Sequence, residues 1–98
     1  MILLRKAIDE RHLIAFTYKD KERVAEPHIL GMKRGEYQAL VFQTAGASSK
    51  GGLPAWRRCF VKEMKDLRLL DERFPGARDD VKDQHAEFDQ VFAAVHEA

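Results

Sequence analysis

Basic and aromatic side chains alternate along one short segment of the chain, at residues 56–62. Successive side chains of an extended strand point to opposite faces. One face of this segment therefore carries Trp56, Arg58, Phe60 and Lys62, and the other carries Arg57, Cys59 and Val61. Guanidinium groups beside aromatic rings can bind phosphates, carboxylates and stacked bases. The pattern favours a surface for an anionic ligand or nucleic acid, with Arg58 as its central cation.

The same face also fits an ordinary half-buried strand. In that interpretation Trp56 and Phe60 are core residues, and Arg58 reaches past them to solvent with its aliphatic stem buried. Arg57 is kept as a candidate for its charge alone, because a regular strand turns it away from Arg58. The two arginines can line one groove only if a bulge intervenes. Both interpretations are consistent with the sequence.

No set of residues typical of catalysis or metal binding can be recognised. The four histidines lack the spacing of a chelating site: His12, His28, His85 and His96. Cys59 has no recognisable histidine–acid arrangement and is expected to be a buried strand residue. The glycines at 46–52 lack the Gly-Lys-Ser/Thr ending of a phosphate loop. We therefore expect a non-enzymatic protein without a cofactor or metal.

Length and composition predict one ordinary folded domain, since the 98 residues are 45% hydrophobic and 34% charged. The apolar start of the chain is interrupted by Arg5 and Lys6, and no apolar run is long enough for a membrane span. A single cysteine cannot form an internal disulfide and fits a reducing compartment. We expect a cytoplasmic protein that does not bind a membrane.

A net charge of +1 conceals an uneven distribution of charge. Residues 50–68 carry an excess of basic side chains, namely Lys50, Arg57, Arg58, Lys62, Lys65 and Arg68 against Glu63 and Asp66. Residues 79–98 carry an excess of acidic ones, namely Asp79, Asp80, Asp83, Glu87, Asp89 and Glu97 against Lys82. Two solvated faces would account for this pattern. Alternatively, the field of the acidic tail, or of a second subunit, opposes or screens the basic surface.

Hydrophobic periodicity predicts an α+β fold with a helix at residues 2–11 followed by five strands. The strands are expected at 13–18, 23–33, 37–44, 56–62 and 67–70, curled into a small sheet or partial barrel. Polar turns are expected at 19–22 and at Arg34-Gly35, and a loop at 45–55. Pro27 lies within the second strand, so that strand is expected at a sheet edge or bulged near the proline.

A final amphipathic helix is predicted after residue 76. Asp79 or Asp80 is its expected cap. An apolar stripe at helical spacing follows: Val81, His85, Phe88, Phe92 and Val95. We therefore divide the chain into a domain at 1–76 and a C-terminal helix at 77–98 that packs on the domain or on a partner. This helix and the edge near Pro27 support an alternative function, a structural or interaction protein acting as a homodimer or partner subunit.

Several of these features together resemble the WYL domain of bacteria, over roughly residues 2–74. They are the short helix, a strand ending in Tyr18, then Arg23 and Glu26-Pro27, an aromatic-led strand, and Arg58-x-Phe60. The Trp-Tyr-Leu run that names the family is replaced near Tyr37, and no helix-turn-helix precedes the domain, as in a divergent stand-alone member. The resemblance implies a five-stranded antiparallel SH3- or Sm-like barrel of a transcription regulator. It also implies binding of nucleic acid or a nucleotide-like effector through basic and aromatic residues.

By match to that family, the resemblance points to Tyr18, Arg23, Tyr37 and Arg58 as binding residues. Each tyrosine either stacks on a ligand or packs in the barrel. Arg23 either converges with Arg58 or pairs with Glu22 or Glu26, and exposed pairs of that kind contribute only about 0–1 kcal/mol. The full candidate set is Tyr18, Arg23, Tyr37, Trp56, Arg57, Arg58 and Lys62. The expected partner is a nucleotide-like or other anionic ligand, or single-stranded nucleic acid.

Overall fold

The structure is a computed structural model that describes residues 2–46, 54–78 and 87–95. In these residues it contains α1 (Ile2–Glu10), β1 (His12–Tyr18), β2 (Lys21–Lys33), β3 (Glu36–Gly46), β4 (Ala55–Phe60), a 3₁₀ turn (Val61–Glu63), β5 (Lys65–Arg73) and β6 (Gln90–Ala94). The N-terminal helix and the predominance of antiparallel sheet are confirmed. The strand count is not, because six strands are present among the described residues. The fourth strand also ends earlier than predicted, so Lys62 lies in the 3₁₀ turn.

All six strands belong to one antiparallel sheet. The strand order is β4-β3-β2-β1-β5, and β6 pairs with β2 in addition to these five strands. Within the described residues β4 and β5 are not paired with each other, so the sheet curls without closing. The only α-helix in that part of the chain, α1, has nine residues, too few to traverse a bilayer.

β2 is the central strand, and a bulge divides it. Its first part pairs with β1 through Ala25, and its last part pairs with β6 from Ile29 to Met32. The register with β3 shifts between Pro27 and Ile29, where β1 has already diverged. Because Pro27 has no N–H for a regular ladder, it suits this break. The predicted bulge is confirmed, although β2 lies inside the sheet.

The predicted C-terminal helix is wrong over its described part. Gln90–Ala94 form β6, and residues 87–95 contain no helix. The expected caps Asp79 and Asp80 and the first half of the apolar stripe lie outside the described residues. The physical reason is tertiary: when β1 leaves β2 at the bulge, the edge beyond it has unpaired backbone groups, and β6 satisfies them. The continuation at Val95, whose N–H donates to the His28 carbonyl at 2.9 Å, extends the same pairing.

Two tight turns connect the first three strands. Lys19 and Asp20 join β1 to β2 with φ of 52° and 62°, and Arg34 and Gly35 join β2 to β3 with φ of 52° and 78°. Positive φ at both positions is the requirement of a type I′ turn, which matches the twist of the flanking strands. The second turn places Lys33 and Arg34 at the end of the sheet where β4 terminates.

The two faces of the sheet carry different packing. α1 buries Leu4, Ala7 and Ile8 on one face, called the helix-covered face here, against a core that includes Phe16 and Val41. A smaller cluster lies on the opposite face, formed by Ile29, Leu40 and Phe88 with Trp56 packed beside it. The candidate binding residues are divided between these two faces.

Candidate functional site

A groove of about 550 Å³ lies on the opposite face, where β2 turns into β3 beside the end of β4. We call it the cationic groove, and its lining residues are Lys33, Arg34, Glu36, Gln38, Arg58, Phe60, Lys62 and Glu63. Four of these side chains are basic and two are acidic. The groove therefore has an excess of positive charge, which favours anions.

Strand register explains how the groove forms. Gln38 of β3 lies opposite Phe60 of β4, and Leu40 lies opposite Arg58. Directly opposed residues point to the same face, so Gln38, Arg58 and Phe60 meet there. Trp56 is two residues further along this face, where it packs on Phe42 and on His28 with ring centroids 5.1 and 4.9 Å apart. The alternation expected for β4 is observed, and Trp56 lies beside the groove as a packing residue.

Arg58 is the most constrained cation of the groove. Its Nη2 donates to Glu87 Oε2 at 2.8 Å, and its guanidinium lies 4.6 Å from the centroid of the Phe88 ring. Nη1 is buried and has no hydrogen-bond partner among the described residues. A guanidinium with one terminal nitrogen unpaired, placed beside an aromatic ring, has the donor geometry for bidentate binding of a phosphate or carboxylate.

The remaining groove residues differ in exposure. Lys62 is 68% exposed, and its Nζ donates to Glu36 Oε1 at 3.0 Å. Phe60 is 38% exposed, so part of its ring is available to a stacked base. Gln38 is 7% exposed, and its Oε1 is buried without a hydrogen-bond partner in the described part of the chain. The groove thus combines exposed cations and a ring with buried, incompletely paired polar groups.

Arg23 and Tyr18 lie on the helix-covered face, away from the groove. Arg23 is only 5% exposed; it donates from Nη1 to Gln43 Oε1 at 3.4 Å and from Nη2 to the Tyr18 carbonyl at 3.3 Å. No described carboxylate pairs with it, because Glu22 contacts Arg68 and Glu26 binds Arg78. Neither alternative proposed for Arg23 from the sequence is observed.

Tyr18 links β1 to β4. Its hydroxyl oxygen accepts the Phe60 N–H at 3.0 Å, and its ring packs edge-on against Phe16. Burial raises the pKa of Tyr18, while the hydrogen bond from Phe60 acts in the opposite direction. This geometry agrees with the barrel-packing alternative for Tyr18.

Tyr37 and Arg57 also lie outside the groove. Tyr37 is 44% exposed and packs on Phe92 at 5.7 Å between ring centroids, in an apolar depression of about 240 Å³ that Ile2, Arg5 and Leu30 complete. Arg57 lies opposite Val41, a residue of the helix-covered core. Among the predicted residues, the groove brings together Arg58 and Lys62. Tyr37 meets Lys62 in an adjoining depression of about 270 Å³, whereas Tyr18, Arg23 and Arg57 lie elsewhere.

Sequence reasoning missed five groove residues, namely Lys33, Arg34, Glu36, Gln38 and Glu63. The adjacent basic pair at the end of β2 and the start of its turn was the available signal for Lys33 and Arg34, since this hairpin end lies on the strand next to β4 and must approach the end of β4. No comparable signal marked Gln38, whose position depends on the register of β3 with β4.

No arrangement able to hold a metal or to activate a nucleophile was found in the described residues. No group of three or more His, Cys, Asp or Glu side chains there is placed to bind a metal ion. Burial raises the pKa of the Cys59 thiol to about 11, with Arg23 and Arg57 acting in the opposite direction. The thiol therefore stays protonated at neutral pH and is a poor nucleophile.

Comparison of the chain with protein-family models, with curated proteins and with solved structures gave no match. The resemblance to WYL domains stays a prediction.

Proposed function

We propose that this protein is a non-enzymatic regulatory module that binds anionic, phosphate-bearing ligands in the cationic groove. The observation that carries the proposal is the convergence of Lys33, Arg34, Arg58 and Lys62 on one concavity. Phosphate is the ligand chemistry that such a set of guanidinium and ammonium groups recognises best.

Single-stranded nucleic acid and mononucleotides are the two sources of phosphate that suit this groove. The exposed part of the Phe60 ring beside Lys62 offers stacking next to charge, a combination typical of single-strand binding. A regulatory role follows from the resemblance to WYL domains, and the single cysteine supports placing the module in the cytoplasm.

Fluorescence anisotropy tests the proposal directly. The probes are a labelled single-stranded oligonucleotide of about 20 nucleotides and labelled ATP, titrated at about 50 mM and about 200 mM salt. We expect binding at the lower salt that weakens at the higher salt, since phosphate contacts release counterions. Binding of both probes indicates a nucleotide-like ligand, and binding of the oligonucleotide alone indicates a polynucleotide.

A pair of variants locates the site. Arg58→Ala is expected to weaken binding by about tenfold or more, the usual effect of losing a charged hydrogen bond. Arg68→Ala is the matched control, because Arg68 is an exposed arginine paired with Glu22 at the other end of β2. If neither probe binds at low salt, the proposal is contradicted. If Arg58→Ala and Arg68→Ala weaken binding equally, the assignment of the site to the groove is contradicted.

The alternative function, a structural or protein-interaction domain, is supported by the apolar depression around Tyr37. Ile2 at its rim is 89% exposed and Tyr37 within it is 44% exposed, an unusual placement for large apolar side chains. Sedimentation velocity across a concentration series tests for a homodimer. Ile2→Ser should reduce self-association without destabilising the fold, and a monomer at every concentration contradicts this alternative.

A further inference from the structure

The central cation of the groove is already occupied by a side chain of the same protein. Arg58 Nη2 donates to Glu87 at 2.8 Å, and Nη1 is buried. In this arrangement Nη2 is already engaged by a carboxylate and Nη1 is buried, although the side chain as a whole is 24% exposed. An incoming phosphate must displace Glu87 if it is to take the place of that carboxylate at Nη2.

The fold holds Glu87 in this position through the residues that follow it. Phe88 is buried beneath the Arg58 guanidinium and against Gly31 of β2. The Asp89 N–H donates to the Met32 carbonyl, and Asp89 Oδ2 accepts the Arg34 N–H at 2.7 Å. The segment 87–89 therefore touches two groove-lining residues, Arg34 and Arg58, and enters β6 immediately afterwards.

We infer that Glu87 is an intramolecular competitor that regulates the groove by occupying Arg58 in place of the ligand. This inference rests on the function proposed above. Glu87 forms one hydrogen bond with the guanidinium, whereas a phosphate can accept from Nη1 and Nη2 together and so satisfy the nitrogen that is now unpaired. The Glu87 side chain is 55% exposed, so solvent weakens the pair and a ligand can displace it.

Asp89 has a different role despite its charge. It accepts a backbone N–H in the β2–β3 turn and so fixes the turn, and it takes no side-chain donor from the groove. Glu36 pairs with Lys62, which is itself 68% exposed and has two further donors for a ligand. Glu87 is therefore the carboxylate whose removal should release the partly buried guanidinium of Arg58 from its acidic partner.

The test compares Glu87→Gln with the natural protein in the oligonucleotide and ATP titrations. Glutamine keeps the size of the side chain and removes its charge. We expect binding to be about two- to fivefold tighter, the range corresponding to loss of one partly exposed ion pair. Glu22→Gln is the matched control, since it also removes one negative charge from an arginine pair, but at the other end of β2.

The Arg58→Ala background supplies the second comparison. If Glu87 acts through Arg58, then in the Arg58→Ala background Glu87→Gln should change the affinity for the probes no more than Glu22→Gln does. A double-mutant cycle measures this difference. Tighter binding by Glu87→Gln alone, or binding that appears only in that variant, supports the inference that Glu87 competes with the ligand for Arg58. Unchanged or weaker binding by Glu87→Gln, or an equal gain in Glu22→Gln, overturns it while the proposed function stands. If no variant binds either probe, the proposed function and this inference both fail.

Discussion

The ring of Phe88 lies directly against Gly31, at a point of β2 where no side chain fits. A Cβ at Gly31 would stand 2.6 Å from Phe88 Cδ1 and would overlap the carbonyl oxygen of Gln90. This close approach seats β6 on β2 and places Phe88 beneath Arg58. The glycine is therefore required by packing, since its φ is not in the left-handed region.

Gly31→Ala should destabilise the protein by about 1–3 kcal/mol, the usual cost of forcing an extra carbon into a packed site. Urea unfolding monitored by circular dichroism measures the change. In a Phe88→Ala background the same substitution should cost less, because the ring that it displaces is absent. An equal cost in both backgrounds would show that the overlap with the Gln90 carbonyl oxygen, and not the Phe88 ring, sets the penalty.

The turn between β1 and β2 offers a stabilising change. Lys19 and Asp20 both adopt positive φ, which costs more for lysine and aspartate than for asparagine and glycine at these turn positions. Replacing the pair with Asn-Gly should raise the free energy of unfolding by about 0.5–1 kcal/mol. The turn lies at the far end of β2 from the groove, so binding of the oligonucleotide should be unaltered.

Asp20→Ala is the control for that change, because alanine keeps the penalty of positive φ and should give no stabilisation. Thermal unfolding of the three proteins side by side measures the difference. A stabilisation by Asp20→Ala equal to that by Asn-Gly would mean that loss of the Asp20 charge, and not backbone strain, is responsible.

Cys59 should make stability depend on pH in the alkaline range. Burial raises the pKa of its thiol from 9.0 to about 11, so the folded state disfavours the thiolate. Below pH 9 the buried thiol does not lower stability, because Cys59 is protonated in both the folded and the unfolded protein. Stability decreases as the pH rises from 9 to 11, because the unfolded state releases its proton first.

The expected loss of stability across that interval is of the order of 2 kcal/mol, from about two pKa units. Urea unfolding of the natural protein and of Cys59→Ala at several pH values isolates the thiol, since lysines and tyrosines titrate in both. The native thiol should also resist iodoacetamide at pH 8 and react once the protein is unfolded. Rapid alkylation of the native protein would contradict the burial on which this prediction depends.

The features that sequence analysis predicted well depend on short-range patterns. The alternation of Ile14, Phe16 and Tyr18 defines β1, and a turn was predicted at Arg34-Gly35, where the two-residue connection lies. Pro27 marked the bulge in β2 because its ring removes a hydrogen-bond donor whatever the surroundings. The proximity of Arg58 to Phe60 likewise follows from the two-residue period of one strand.

The features that it missed depend on contacts between distant segments. Phe88, Phe92 and Val95 fit a helical stripe, and only the edge that β1 leaves open on β2 makes that stretch a strand. Arg23 was expected to converge with Arg58 or to pair with Glu22 or Glu26, but the fold encloses it on the helix-covered face, where it donates to Gln43 and to the Tyr18 carbonyl. Neither the open edge nor the enclosure can be seen within a local window of sequence.

Arg57 and Arg58 provide the sharpest test of the groove, because they are adjacent in sequence and opposite in direction. Arg58 lines the groove, whereas Arg57 lies opposite Val41 on the helix-covered face. Arg58→Ala should weaken oligonucleotide binding by about tenfold or more and reduce the slope of log affinity against log salt by about one. Arg57→Ala changes net charge equally and should leave both quantities almost unaltered. Anisotropy titrations at several salt concentrations measure the slopes. A larger effect from Arg57 would place the binding surface on the face that carries Arg23 and Tyr18, and the cationic groove would then have no part in binding.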